Sequence, residues 1–284
     1  MNTRRPLAAV AAILVAATAL ASCADGGGRG APEADNVAAT PTVSATVAAP
    51  AAPKYIDVTG QGRELPRDSV DRAQFSATPQ PGAKVLRWNS AGVGDRCTLG
   101  PAVTVGSRSA FLTAGHCAGA GVTQFAQGDA AGKVLIPLGP AVQAVNEDGV
   151  PGADGILDDR ALIFTSTPPT PQIAGTWTVA GSLTVKETQR LPHGTPICVD
   201  GATSGVRCGG LISAERGRVE FVGKPGTAAP SKGDSGAPVF VVDDSGRATV
   251  IGLVTSEARD GSTTNATFIE PALLSLGAEL VTAS

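Results

Sequence analysis

Hydrophobic and polar positions divide the chain into four stretches. Behind Arg4 and Arg5, an apolar run extends from Leu7 to Leu20 and stops just short of Cys23. It is shorter than the roughly 20 residues that span a bilayer, so it predicts an export signal over 1–22 rather than a membrane helix. Residues 23–53 are rich in Ala, Pro, Thr, Gly and Val, punctuated by Ala31-Pro32, Thr40-Pro41 and Ala49-Pro50, with no apolar periodicity. That composition predicts a disordered tether. Residues 54–83 are more charged and mixed. They read either as an extended arm packed on the downstream domain or as further linker.

From 84 onward, short β-rich runs recur between Gly, Pro, Asn and Asp. They are Lys84–Trp88, Ala102–Val105, Val134–Pro137, Arg160–Ser166, Thr176–Val179, Thr184–Val185, Val219–Val222, Pro238–Val242, Ala248–Thr255 and Thr267–Ile269. Their spacing predicts an antiparallel sandwich or barrel. The C-terminus differs. From Pro271 to Val281, Leu273, Leu274, Leu276 and Leu280 fall near helical spacing, with Pro271 suited to a first turn.

Composition fits one globular domain behind an N-terminal extension: 284 residues, 42% hydrophobic and 17% charged. The 36 glycines and 21 prolines agree with many turns between short strands. The formal net charge is -3, and without Arg4 and Arg5 the chain has 20 Lys and Arg against 25 Asp and Glu. No basic run stands out, so nucleic acid is not an expected partner. With two histidines a His-based metal site is not expected, and nothing calls for a cofactor. A carboxylate metal site stays open.

Leu20-Ala21-Ser22-Cys23 resembles the bacterial lipobox. That resemblance makes Cys23 the acylated mature N-terminus and implies anchoring on the extracytoplasmic face of a cell membrane; ordinary signal cleavage is the plainer reading. Two or more acyl chains hold a protein stably, whereas one holds it marginally. Four cysteines then remain, Cys97, Cys117, Cys198 and Cys208, an even number that suggests disulfides in an exported protein. Spacing alone leaves three connectivities open.

Two motifs carry chemistry. Thr113-Ala114-Gly115-His116-Cys117 follows the apolar run Ala110-Phe111-Leu112, and Gly233-Asp234-Ser235-Gly236-Ala237-Pro238 precedes Val239-Phe240-Val241-Val242. Each alone reads as a turn or a structural pair. Together, in an exported chain, they point to nucleophilic catalysis. A serine hydroxyl needs a base within hydrogen-bond reach, and histidine titrates near the working pH. His116 lies in the motif, whereas His193 lies in the turn-like stretch Leu191-Pro192-His193-Gly194.

On these motifs the chain resembles, over about residues 84–284, the chymotrypsin-like serine proteases, especially the compact actinobacterial type. The resemblance implies an all-β fold of two antiparallel six-stranded β-barrels with a C-terminal helix. It implies Ser235 as nucleophile, His116 as general base, and the backbone N–H groups of Gly233 and Ser235 as the oxyanion hole. The family's Asp-x-Ala-Leu pattern matches Asp159-Arg160-Ala161-Leu162, making Asp159 the orienting acid; Asp158 and Asp154 are rivals. It pairs Cys97 with Cys117, and Cys198 with Cys208. Ala228 and Ala229 fall near the base of the primary pocket. Thr255-Ser256-Glu257-Ala258 forms its substrate-pairing edge, and Asn265-Ala266-Thr267-Phe268 a further wall, so the substrate-binding candidates are Ala229, Lys232, Thr255, Ser256, Ala258 and Thr267.

Three departures qualify this. Ala229 supplies no acid for a basic side chain. Glu257 and Ala258 stand where the family often has Gly. An acylated N-terminus cannot pair with Asp234, for which compact bacterial members use an internal Arg that this sequence does not identify. The expected protein is a monomeric, membrane-anchored endopeptidase acting on peptides or proteins. The alternative is a catalytically weak or inactive protease-fold lipoprotein that binds a partner at the cell surface.

Overall fold

The computed structural model describes residues 53–88, 94–118, 123–146, 153, 155–215, 217–223, 230–258 and 262–283. The signal, Cys23, nearly all of the tether, Asp154, Ala228 and Ala229 lie outside them.

Two curled, mostly antiparallel sheets make up the described chain. In spatial order, the first runs Glu279–Leu280, Ala102–Val105, Arg108–Thr113, Asp159–Phe164, Leu135–Asn146, Thr123–Gln127, Lys84–Trp88 and Gly94–Thr98. The second runs Tyr55–Ile56, Pro238–Asp243, Pro196–Gly201, Gly205–Ser213, Arg218–Gly223, Thr264–Phe268, Arg247–Glu257, Trp177–Ser182 and Gln172–Ile173. Pro238–Asp243 also pairs with Arg247–Glu257, which closes six strands of the second sheet into a barrel. The architecture is the expected all-β one with a C-terminal helix, with one closed six-stranded barrel and the other sheet curled into a half-barrel.

Local chemistry explains the elements. Val105 and Arg108 pair across a two-residue turn at Gly106, whose φ of +58° suits glycine. Pro238–Asp243 is buried along its whole length, and its run Val239-Phe240-Val241-Val242 is the β-branched and aromatic content that a two-sided core strand needs. Leu112 and Leu162 of the first sheet share one core with Phe240 and Leu253 of the second and with Ile269 and Leu276 of the helix Ile269–Leu276. Each of these large side chains contributes about 1.5–3 kcal/mol of burial.

Some sequence expectations shift. Thr184–Val185 is not a strand. Thr184 caps the short helix Val185–Thr188 in a reciprocal box with Glu187, and Val185 N–H also donates to Glu270 at 2.7 Å. The C-terminal helix begins at Ile269 and stops at Gly277, in the left-handed region at φ +57°. Leu280 therefore lies beyond it, in a strand pairing with Val103. Strands at Gly94–Thr98, Pro196–Gly201 and Gly205–Ser213 have no counterpart among the sequence-derived runs.

Residues 54–83 pack on the domain as an arm. Tyr55 and Ile56 pair with Asp243 and Val242 on the second sheet. Farther on, Ser69 N–H donates to Ala130 O at 2.9 Å and Ser76 N–H to Gln127 O at 3.2 Å, on the first sheet's side. The arm thus touches both halves.

Candidate active site

Register brings Asp159 to His116. Strand Arg108–Thr113 pairs with Asp159–Phe164 so that Thr113 faces Ala161. Three residues onward from Thr113 is His116, and two back from Ala161 is Asp159. His116 sits in the single turn Gly115–Cys117, where Gly115 is essential: a Cβ there would lie 1.7 Å from Val145 O. The Asp159 carboxylate grips His116 twice. The His116 backbone N–H donates to Oδ1 at 2.9 Å, and Nδ1 meets Oδ2 at 2.8 Å. The Asp159 side chain is 7% exposed and the His116 side chain 34%, so the acid is sealed while the imidazole reaches the surface. Of the rivals, Asp158 pairs with Arg160 at 2.8 Å and Asp154 lies outside the described residues. His193 is exposed in its turn.

Ser235 arrives on the turn before Pro238–Asp243. Gly233 has φ +106° and Gly236 +84°, conformations that side chains rarely adopt. A Cβ at Gly236 would also lie 2.2 Å from Thr113 Oγ1 and 2.7 Å from Ala114 N. That close approach draws the serine turn against the histidine segment: Cys117 Sγ lies 3.9 Å from Ser235 O. Among the described residues, Ser235 makes no hydrogen bond to His116, and neither the Gly233 nor the Ser235 backbone N–H has a partner. Catalytic hydrogen bonds are often long without substrate and tighten when it binds.

Thr98 was not singled out by sequence, yet it holds this turn. Fully buried, it donates its hydroxyl to Gly233 O at 2.9 Å and accepts from Ala202 N–H at 2.9 Å. Its backbone N–H donates to Ser235 O at 2.9 Å. The only hint in sequence is its place beside Cys97.

Asp234 is also fully buried, and its partners are not cationic. Oδ1 accepts from the backbone N–H groups of Thr203 at 2.8 Å and Ser204 at 3.1 Å, and Oδ2 accepts from Ser231 N–H at 2.7 Å. Among the described residues no arginine pairs with it, so the internal Arg that the resemblance implied is not found there. Nearby, Asp200 accepts from Gln74 Nε2 at 3.2 Å and from Ala174 N–H at 3.1 Å. Burial pushes its carboxyl up to about 7 despite these bonds, with the Asp234 and Glu64 charges adding to the rise.

A cavity of about 260 Å³ opens beside Ser235. Among the described residues it is lined by Pro230, Ser231, Lys232, Ser235, Val254, Ser256, Glu257 and Thr264. Of the substrate-binding candidates, Lys232 and Ser256 line it and Ala229 lies outside the described residues. Thr255, Ala258 and Thr267 do not line it. Thr267 turns inward instead, and its hydroxyl donates to Leu157 O at 2.5 Å. Ala258 N–H is tied to Thr263 O at 2.7 Å, and Thr255 Oγ1 to Asn265 O at 3.3 Å. Glu257 does line the cavity, so the departure from glycine falls on its wall.

Both disulfides have the pairing that the resemblance implied, Cys97–Cys117 and Cys198–Cys208. Such bonds persist outside the cytoplasm, which makes this an extracytoplasmic protein. No helix among the described residues is long and apolar enough to cross a membrane.

No family model and no curated protein matches the chain. Solved structures do. A glutamic acid-specific serine protease that uses a histidine triad in substrate binding superposes with a TM-score of 0.50 at 16% identity, over 72% of this chain and 100% of its own. Protease A of Thermobifida fusca gives 0.49 at 26% identity, and a Nocardiopsis protease 0.49 at 23%, each over 72% of this chain and 98% of its own. The first of these shows the fold and no more than the fold: two barrels of the chymotrypsin-like kind.

Proposed function

We propose that this chymotrypsin-like fold works as a serine endopeptidase, exported and held at the membrane by a lipid on Cys23. The observation that carries the reading is the double hold of Asp159 on His116. With Nδ1 engaged by a carboxylate, the proton resides on Nδ1 and Nε2 is left as the acceptor. Ser235 Oγ would attack the scissile carbonyl and pass its proton to His116 Nε2. The carbonyl oxygen, now an anion, would take hydrogen bonds from the unpartnered N–H groups of Gly233 and Ser235. His116 would then protonate the leaving amine, and water would release the acyl group by the same route in reverse. The substrate is a peptide or protein whose side chain enters the cavity walled by Lys232, Ser256 and Glu257.

A fluorophosphonate probe tests this directly. Labelling of the wild type, lost in Ser235→Ala and strongly slowed in His116→Ala, is the expected result. A folded wild type that resists the probe would instead support a protease-fold lipoprotein acting by binding alone.

A further inference from the structure

The oxyanion turn needs an anchor that its own residues do not provide. Asp234 is gripped by backbone from two segments, Thr203–Ser204 and Ser231. The geometry of the turn is therefore set by whatever fixes those segments. The N-terminal arm reaches the first of them directly. Between Arg67 and Gln74, which are bridged, the arm makes a tight loop with Arg72 at φ +61°. A left-handed conformation at a non-glycine residue is costly and persists where surrounding contacts demand it. From this loop Gln74 N–H donates to Ala202 O at 2.6 Å, and Gln74 Nε2 to Gly201 O at 3.0 Å. Arg67 Nη1 donates to Thr203 O at 2.8 Å.

The second connection runs through Arg96. Its Nη1 pairs with Asp71 of the arm at 2.5 Å, and its Nη2 donates to Lys232 O at 3.3 Å. Thr203 Oγ1 donates to the same oxygen at 3.1 Å. Lys232 O belongs to the peptide unit whose other end is Gly233 N–H. In a trans peptide the C=O and N–H point in opposite directions, so fixing the carbonyl aims the N–H the other way. Arg96 also packs against Gly233, where a Cβ would lie 2.7 Å from Arg96 Nε. Asp71 is a fit anchor. Burial opposes its charge, but Asp68, Arg96, Lys84 and the Ala73 N–H together hold its carboxyl well below the usual range.

We infer that Arg96, held by Asp71 of the N-terminal arm, is a positioning residue that sets the Lys232–Gly233 peptide plane and so aims one of the two oxyanion donors. This rests on the serine-hydrolase reading. It assigns the arm a task in activity as well as in stability: residues upstream of the barrels reach the Lys232–Gly233 peptide through the Arg96 guanidinium, beside the contacts that Arg67 and Gln74 make with the 201–203 segment.

The test uses the full chain and measures the second-order rate of labelling by a small alkyl fluorophosphonate, alongside the thermal midpoint and kcat and KM on a short amide substrate. Arg96→Ala and Asp71→Asn are each expected to be labelled about 10- to 100-fold more slowly, approaching the loss of one oxyanion donor. The fall should appear in kcat with KM little changed and with the thermal midpoint within a few degrees of wild type. Arg96→Lys should recover part of the rate, since one ammonium can reach Asp71 or Lys232 O but lacks the fork that serves both. Should Arg96→Ala fail to fold, Asp71→Asn and Arg96→Lys decide. Labelling at the wild-type rate in the folded variants overturns the inference. So does slow peptide cleavage with unchanged labelling, which would put Arg96 on the substrate instead. An unlabelled wild type would sink the hydrolase reading first, and this inference with it.

Discussion

The hydroxyl of Thr98 donates to the carbonyl of Gly233 at 2.9 Å, joining the strand that carries Cys97 to the residue whose N–H is the proposed oxyanion donor. Thr98→Val keeps the shape but leaves Gly233 O and Ala202 N–H without this partner in a buried place. The expected loss is about 1–3 kcal/mol in unfolding free energy. A fall in labelling rate should accompany it, measured at a temperature where the variant is fully folded.

Asp159→Asn should leave the fold intact and remove the carboxylate that sets the His116 tautomer. By the logic of the Ser-His-Asp arrangement, kcat should fall by about 10⁴. Circular dichroism would confirm the fold. A fall of less than tenfold would assign the role of Asp159 to structure alone.

Gly236→Ala places a Cβ against Thr113 Oγ1 and Ala114 N, at a φ of +84°. The left-handed conformation alone costs roughly 1–2 kcal/mol, and backbone overlap adds to it. The expected result is low soluble yield or, where protein is recovered, no labelling, because the serine turn can no longer approach the histidine segment.

Asp200 predicts a slope of stability with pH. Unfolded, its carboxyl loses its proton at roughly 3.9; folded, at about 7. Between those values the native state holds a proton that the unfolded chain has released. This group therefore makes stability fall as pH rises from about 4 to about 7, with the loss levelling off at higher pH. Asp200→Asn should flatten the slope, and its urea midpoint should exceed that of wild type at pH 8 more than at pH 5. Parallel curves for the two proteins would refute the assignment.

Cys23→Ser tests the anchor. With the native signal, the wild type should sediment with membranes and need detergent for release, while the variant should appear in the soluble extracytoplasmic fraction. Equal partition would make the signal an ordinary cleaved one.

The legible parts of the sequence were those where one short segment states its own chemistry. Gly233 to Gly236 reads as a turn, and Asp159 opens an apolar strand that pairs with the strand just before His116. Thr98, Asp71 and Arg96 could not be read this way. Their meaning lies in partners far along the chain, and an arm that bonds through scattered backbone groups leaves no periodic trace. Strand Gly205–Ser213 escaped because Gly205, Gly209 and Gly210 interrupt its pattern. The glycine at 209 is there because Val222 O lies 2.1 Å from where a Cβ would stand. Thr184 misled because β-branching outweighed the capping signal of Glu187 three residues on. The linker-or-arm ambiguity at 54–83 had the same origin, since Gln74 and Arg67 look solvated until the loop at 200–204 is placed beside them.

The two ends of the folded region lie on opposite halves. Tyr55 and Ile56 add to the sheet of the second barrel, and Glu279 and Leu280 add to the first. Each half is thus stapled by a strip of chain from beyond its own sequence. Partial opening of one barrel must peel off a strand belonging to the other's end of the chain, which discourages local unfolding and favours rupture of the whole at once. For an extracytoplasmic protein, such cross-stapling favours resistance to cleavage, because a protease needs a loosened segment and neither half can loosen alone.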